Sequence, residues 1–162
     1  MTNWREKGIF TMLGLLNISE AMSIALHTCV ILADQPGQKL SAREISKRLG
    51  FSAHHFAKVA QQLVRANILE TERGPAGGAQ LARPADEITL LDIYVAAGGS
   101  PAYTGCLLKR EICNGEGCVL GKLMAKENER LIALLKSATL ESVVRSVKRN
   151  QKKSYTPSRS TP

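Results

Sequence analysis

The stretch that decides the fold is residues 40–82, LSAREISKRLGFSAHHFAKVAQQLVRANILETERGPAGGAQLA. Ser41 is an N-cap with Glu44 three positions later, the pairing of a capping box. The spacing predicts a helix over Ala42–Leu49 that buries Ile45 and Leu49 and stops at Gly50. Ser52 opens a second helix, running to about Asn67, with Phe56, Val59, Ala60, Leu63 and Val64 as its apolar stripe. Two short helices joined by a glycine-containing turn follow the helix-turn-helix plan. Residues 68–73 then read as a strand, 74–78 as a turn and 79–82 as the returning strand. A helix-turn-helix followed directly by a hairpin is a winged helix. The order carries that inference, because each element alone is ordinary.

Upstream, a helix is expected over Ile18–Asp34, opened by Asn17 or Ser19, with Met22, Ala25, Leu26, Cys29, Val30 and Ala33 recurring at steps of three and four. Residues 35–38, Gln-Pro-Gly-Gln, end it. Glu20, Ser23 and His27 share one face, since seven residues make two turns. Downstream, Thr89 caps a helix Leu90–Ala97, and a glycine-containing loop carries three cysteines. A long helix is expected over Val119–Ser137, with Leu120, Leu123, Met124, Leu131, Leu134 and Leu135 along one side. That stripe exceeds what a small winged helix can cover, which makes this helix the expected dimer contact; packing back on its own domain is the alternative. Thr139 caps a last short helix, Leu140–Val147. The expected fold is therefore mainly α with a small β-hairpin wing (α+β), a winged helix-turn-helix plus a long dimerisation helix. The expected division is an extension over 1–14, a DNA-binding domain over 15–97, a cysteine loop over 98–118, a dimerisation helix over 119–144 and a basic disordered tail over 145–162. Either Met1 or Met12 is the native start.

Composition narrows the function classes. The chain has 162 residues, 44% of them hydrophobic, enough for one ordinary domain with an appendage. No stretch approaches the roughly 20 apolar residues needed to span a bilayer, and the apolar run Ile9–Leu16 is short and lacks a good cleavage site. Lys and Arg exceed Asp and Glu by 22 to 14. Most of that excess lies from Arg145 onward, in Arg145, Lys148, Arg149, Lys152, Lys153 and Arg159, with no acid among them. Such a tail attracts polyanions, or is merely a solvated end.

Cys29 stands apart from Cys106, Cys113 and Cys118, which crowd into thirteen residues. Without a convincing signal peptide, clustered thiols point to metal or redox chemistry rather than a disulfide framework. Three thiolates amid Gly105, Gly115 and Gly117 suit an iron–sulfur cluster or zinc, although the spacing is not that of a zinc ribbon. Lys109 and Arg110 favour thiolates electrostatically. Three inert cysteines are the bland alternative. Cys29 lies on the apolar stripe and is expected in the core.

Residues 73–84, RGPAGGAQLARP, followed by Glu87–Ile93, resemble the wing and next helix of the Rrf-type (IscR/NsrR-like) winged-helix transcriptional regulators. Residues 18–21 and 25–27 resemble that family's opening helix, and the three-cysteine loop sits where its iron–sulfur members carry theirs. The resemblance covers roughly residues 15–144. It implies a cytoplasmic bacterial homodimer that binds double-stranded DNA, usually as a repressor. It also implies an iron–sulfur cluster, 2Fe-2S or 4Fe-4S, on Cys106, Cys113 and Cys118. Some relatives complete the site with a histidine three residues after the last cysteine, where this chain has Gly121. Others use a carboxylate or histidine of the opening helix, sometimes the partner's. The usual carboxylate position is Ser23, a poor ligand, which leaves His27 as first candidate and Glu20 as the weaker one.

The second helix of the helix-turn-helix offers Ser52, His54, His55, Lys58 and Gln62 off its apolar stripe for bases and phosphates. Gly74, Gly77 and Gly78 let the wing approach the DNA backbone, and Arg73 matches the family's minor-groove arginine. Ala79 departs from the family, where a larger residue is common. Two other readings stand beside the cluster-dependent repressor: a cluster-free thiol switch on the same fold, and a metal-stabilised protein-interaction module. An enzyme using Cys29 with His27 fails on geometry, because side chains two apart on a helix diverge.

Overall fold

A computed structural model describes residues 18–74, 77–102 and 117–154, with side chains to residue 150. The local signals form the expected elements. The chain runs α1 (Glu20–Asp34), α2 (Ala42–Leu49), α3 (Ala53–Arg65), β1 (Leu69–Thr71), β2 (Ala79–Leu81), α4 (Leu90–Ala96), α5 (Val119–Ser137) and α6 (Leu140–Ser154). The two strands pair antiparallel, with Leu69 opposite Leu81 and Thr71 opposite Ala79. This is a winged helix-turn-helix followed by two C-terminal helices.

Capping chemistry sets the boundaries. Ser19, not Asn17, opens α1, its hydroxyl accepting from the Met22 N–H. Ser41 and Glu44 form the full capping box, and Gly50 ends α2 in the left-handed region at φ 72°. Helix α3 ends in a Schellman motif: the Ile68 N–H donates to the Leu63 carbonyl at 2.9 Å, and the Asn67 N–H to that of Val64 at 3.0 Å. Asn67 takes φ 54°, a conformation asparagine tolerates, and turns the chain into β1.

Helix α1 is the hub. Met22, Ile24, Ala25, Thr28, Cys29 and Leu32 are all buried, so the helix is enclosed over more of its surface than the expected stripe. The reason is its position, packed against α2, α3, α4, α6 and β2. Ile45, Phe56, Leu63, Ile68, Ile88, Ile93 and Leu140 complete the core. Val64, expected in it, is 39% exposed and faces outward.

The junction between α5 and α6 is clamped to the start of α4. The Leu90 N–H donates to the Ala138 carbonyl at 2.9 Å, and the Leu140 N–H to that of Ile88 at 2.8 Å. Thr139 caps α6 as expected, its hydroxyl accepting from the Ser142 N–H. The helix does not stop near Val147, however. It continues to Ser154, so the first ten residues of the segment expected to be disordered, 145–154, are helical. Burial of Val144, the Glu141–Arg145 pair at 2.7 Å and the Lys148–Asp34 pair at 2.9 Å all hold this stretch in place.

Candidate nucleic-acid interface and cysteine loop

Helix α3 presents Ser52, His54, His55 and Lys58 exposed at its first turns, while Gln62 is half-buried. The Ser52 hydroxyl accepts from the His55 N–H at 3.2 Å, so its own proton remains available to donate outward. Helix α2 is held across the base of α3, as a helix-turn-helix requires.

The wing is anchored from two sides. Leu40 and Ala79 exchange backbone hydrogen bonds at 3.0 and 2.8 Å, which joins the residue before α2 to the returning strand. A Cβ at Gly78 would stand 2.8 Å from the Leu40 carbonyl oxygen, and one at Gly77 would clash with the Glu72 carbonyl. Both glycines are therefore needed for the hairpin to close, a requirement that turn composition alone does not reveal. Ala79 is buried in this close approach, so the small residue fits here. Lys39 pairs with Glu72 at 2.6 Å across the same junction. On the far side the Arg83 guanidinium donates to Asp92 at 3.1 Å and to the Glu87 carbonyl at 3.0 Å. Burial pushes the Asp92 carboxyl up, but hydrogen bonds from the Thr89 N–H and hydroxyl, with the Arg83 charge, outweigh it and hold the group below its ordinary value. Arg73 and Gly74 are exposed on the outgoing arm. Pro75 and Ala76 lie outside the described residues.

The structure brings together two residues that the sequence placed in different sites. Glu20, a candidate metal ligand, stands 3.5 Å from His55 Nδ1, a candidate DNA contact. The first turn of α1 thus touches the first turn of α3. Two turns further along α1, His27 Nδ1 lies 2.7 Å from the Ser23 carbonyl oxygen. With the proton on Nδ1 donated there, Nε2 carries the free lone pair, the arrangement seen when a histidine is held ready for a metal. Periodicity shows which residues share a helix face but not which cross-helix partner each one meets, so the Glu20–His55 contact was not legible.

Of the three clustered cysteines, Cys106 and Cys113 lie outside the described residues. Cys118 is a half-buried free thiol at the N-cap of α5, its sulfur accepting from the Gly121 N–H at 3.2 Å. Gly121 is buried. Among the described residues no three His, Cys, Asp or Glu side chains gather as a metal site. Cys29 is fully buried as expected, and burial pushes its thiol up to about 12. Iodoacetamide applied to the native, iron-free protein is therefore expected to alkylate Cys118 and to leave Cys29 unmodified until the chain is unfolded. Peptide mass mapping checks this, and native-state modification of Cys29 would contradict its placement.

Fold and interface together define a transcriptional regulator of the helix-turn-helix type. The chain belongs to the Rrf2 family of iron-dependent transcriptional regulators, whose family profile matches residues 18–146. It is 31% identical over 132 residues to the putative HTH-type transcriptional regulator YwgB of Bacillus subtilis, covering 80% of this chain and 85% of that one. Among solved structures it is similar to CymR, the global cysteine regulator of B. subtilis, with TM-score 0.68 and 25% identity over 82% of this chain and 98% of that one. It also resembles the IscR of T. potens in fold, with TM-score 0.68 and 24% identity over 84% of this chain and 91% of that one. Membership of this family implies DNA binding. No helix among the described residues is long and apolar enough to cross a membrane.

Proposed function

We propose that this protein is a homodimeric repressor whose affinity for double-stranded DNA is set by the state of its cysteine loop. The observation that carries the reading is the contact between Glu20 and His55. It sets the first turn of the helix bearing His27 beside the first turn of α3, and α1 packs on α3, so a restraint on α1 reaches the DNA-binding surface. A ligand that favours one placement of these helices shifts the population toward it, and DNA affinity follows.

Cys106, Cys113 and Cys118 would hold an iron–sulfur cluster, with His27 Nε2 as the fourth donor, from the same chain or its partner. The donor set fits: Cys118 is a free thiol, and His27 has its second nitrogen already committed to a carbonyl. Glu20 fits less well, because it is engaged with His55. Such a cluster, when bound, would supply a redox-active iron centre that oxidants or nitric oxide can damage. The chain does the rest. His54, His55 and Lys58 face the major groove and its phosphates, Gln62 lies a turn further along α3, and Arg73 with Gly74, Gly77 and Gly78 places the wing at the minor groove. Dimerisation through α5 sets the spacing of the two recognition helices. A second reading, a cluster-free thiol switch, is favoured by the free Cys118 thiol and predicts the same DNA surface.

Selection of duplexes from a random library tests the DNA-binding claim. The expected product is a palindromic site with half-sites about 10 base pairs apart, or a multiple of that. Arg73→Ala is expected to weaken binding to it by about 1–3 kcal/mol and to relax preference for A·T flanks. Failure to enrich any sequence would sink the reading in favour of a protein-interaction module.

A further inference from the structure

We propose that α6 and the end of α2 form a second, sequence-independent DNA contact, a phosphate-binding ridge beside the recognition helix and wing. This rests on the DNA-binding reading above. Helix α6 carries Arg145, Lys148, Arg149, Lys152 and Lys153, and residues 142–154 contain no carboxylate. It is laid along α1, with Arg48 of α2 on the same groove. Val144 and Val147 share a groove of about 180 Å³ with Val30 and Ile31 of α1 and with Arg48 of α2. Lys148 pairs with Asp34 at the last residue of α1, so the six residues Arg149–Ser154 advance about 9 Å beyond that pairing. Arg48, in the last turn of α2 with Lys47, lines the same groove as Lys148 and adds its charge there.

The chemistry selects the partner. Helix α2 is the element that crosses the duplex backbone in helix-turn-helix docking, so cations grouped with Arg48 lie where phosphates pass. Lys47 and Arg149 have no carboxylate within ion-pair distance among the described residues. The Lys148–Asp34 pair is about half exposed and readily exchanged for another anion. The ridge has no aromatic side chain, and so no platform for stacking single-stranded bases. On the apolar side of α6, Leu140 and Val144 are buried in the protein, and Val147 alone, in the groove, is too little apolar surface to hold a lipid surface. Regularly spaced phosphates of a duplex match a row of cations that offers nothing else.

The test titrates the full-length protein and its Arg149→Gln, Lys152→Gln, Lys153→Gln triple variant against a mixed-sequence duplex and against the library-selected duplex, from ~50 to ~200 mM salt. Glutamine keeps helix propensity, and circular dichroism checks that α6 persists. The expected result is binding roughly tenfold or more weaker at ~0.1 M salt, with a salt slope shallower by about 0.9 for each phosphate that is no longer neutralised. Discrimination between the two duplexes stays unchanged, and Lys47→Gln with Arg48→Gln lowers the slope further. An unchanged slope with wild-type binding intact overturns the ridge alone. A slope that falls together with discrimination also overturns it, because α6 then acts through the recognition helix. Wild-type protein that binds neither duplex overturns the DNA-binding reading as well.

Discussion

Leu120→Glu combined with Leu123→Glu is expected to turn the protein into a monomer and to weaken binding to its selected duplex by roughly 100- to 10,000-fold, the avidity that disappears when two linked binding modules become one. The reason is exposure. Val119 is 81% exposed, Leu120 and Leu123 are each 52% exposed and Leu134 is 60% exposed, with Met124 beside them on α5. An apolar face of this kind on a surface helix marks an interaction site. Two uses for that face are open from the sequence. Packing back on its own domain accounts for Leu131 and Leu135, where Leu131 is half-buried, but leaves the first turns of α5 uncovered. A second copy of the chain is the occupant that also spaces two recognition helices for a palindromic site. Because both positions are already exposed, the double variant is expected to keep the monomer fold, with an unchanged circular dichroism spectrum. Analytical ultracentrifugation checks the mass, and a dimer that persists with unchanged affinity would show that α5 is not the contact.

Cys118→Ser is the second large effect. Serine is a good N-cap, so it replaces the sulfur that accepts from the Gly121 N–H and preserves the start of α5. It removes the thiolate. Anaerobically purified wild type is expected to show visible absorption with iron and acid-labile sulfide. Cys118→Ser is expected to lose all three while staying within about 1 kcal/mol of iron-free wild type in stability, since the cap is kept. Cys113→Ala is expected to lose the same three signals. Colourless wild-type protein without iron would move the weight to the thiol switch, and bound zinc would favour the interaction module.

The winged helix was legible because its signals are local. Ser41, Glu44, Gly50, Ser52 and Thr89 act through bonds to their own helices, so a linear reading places them. What was missed depends on neighbours distant in sequence. Val64 continues the stripe of α3 but has nothing above it. Ile24 and Thr28 lie off the strongest stripe of α1, yet several elements enclose them. The run after Arg145 reads as a solvated tail by charge, whereas Val144, Asp34 and the Glu141–Arg145 pair make it a helix. In the candidate site the exposed face of α3 was readable from periodicity. The glycines of the wing were readable as a turn, but their close approach to Leu40 and Glu72 was not. The Glu20–His55 contact joins residues whose types pointed to two unrelated roles.

Coupling between the cysteine loop and DNA is tested by an anaerobic titration of one library-selected duplex with iron-loaded protein and with the same preparation after a chelator has removed the iron. The two affinities are expected to differ by at least about tenfold, within the range of ordinary allosteric coupling, and the difference is expected to vanish in Cys118→Ser. Equal affinity of the iron-loaded and iron-free forms for that duplex would show that the loop does not control DNA binding.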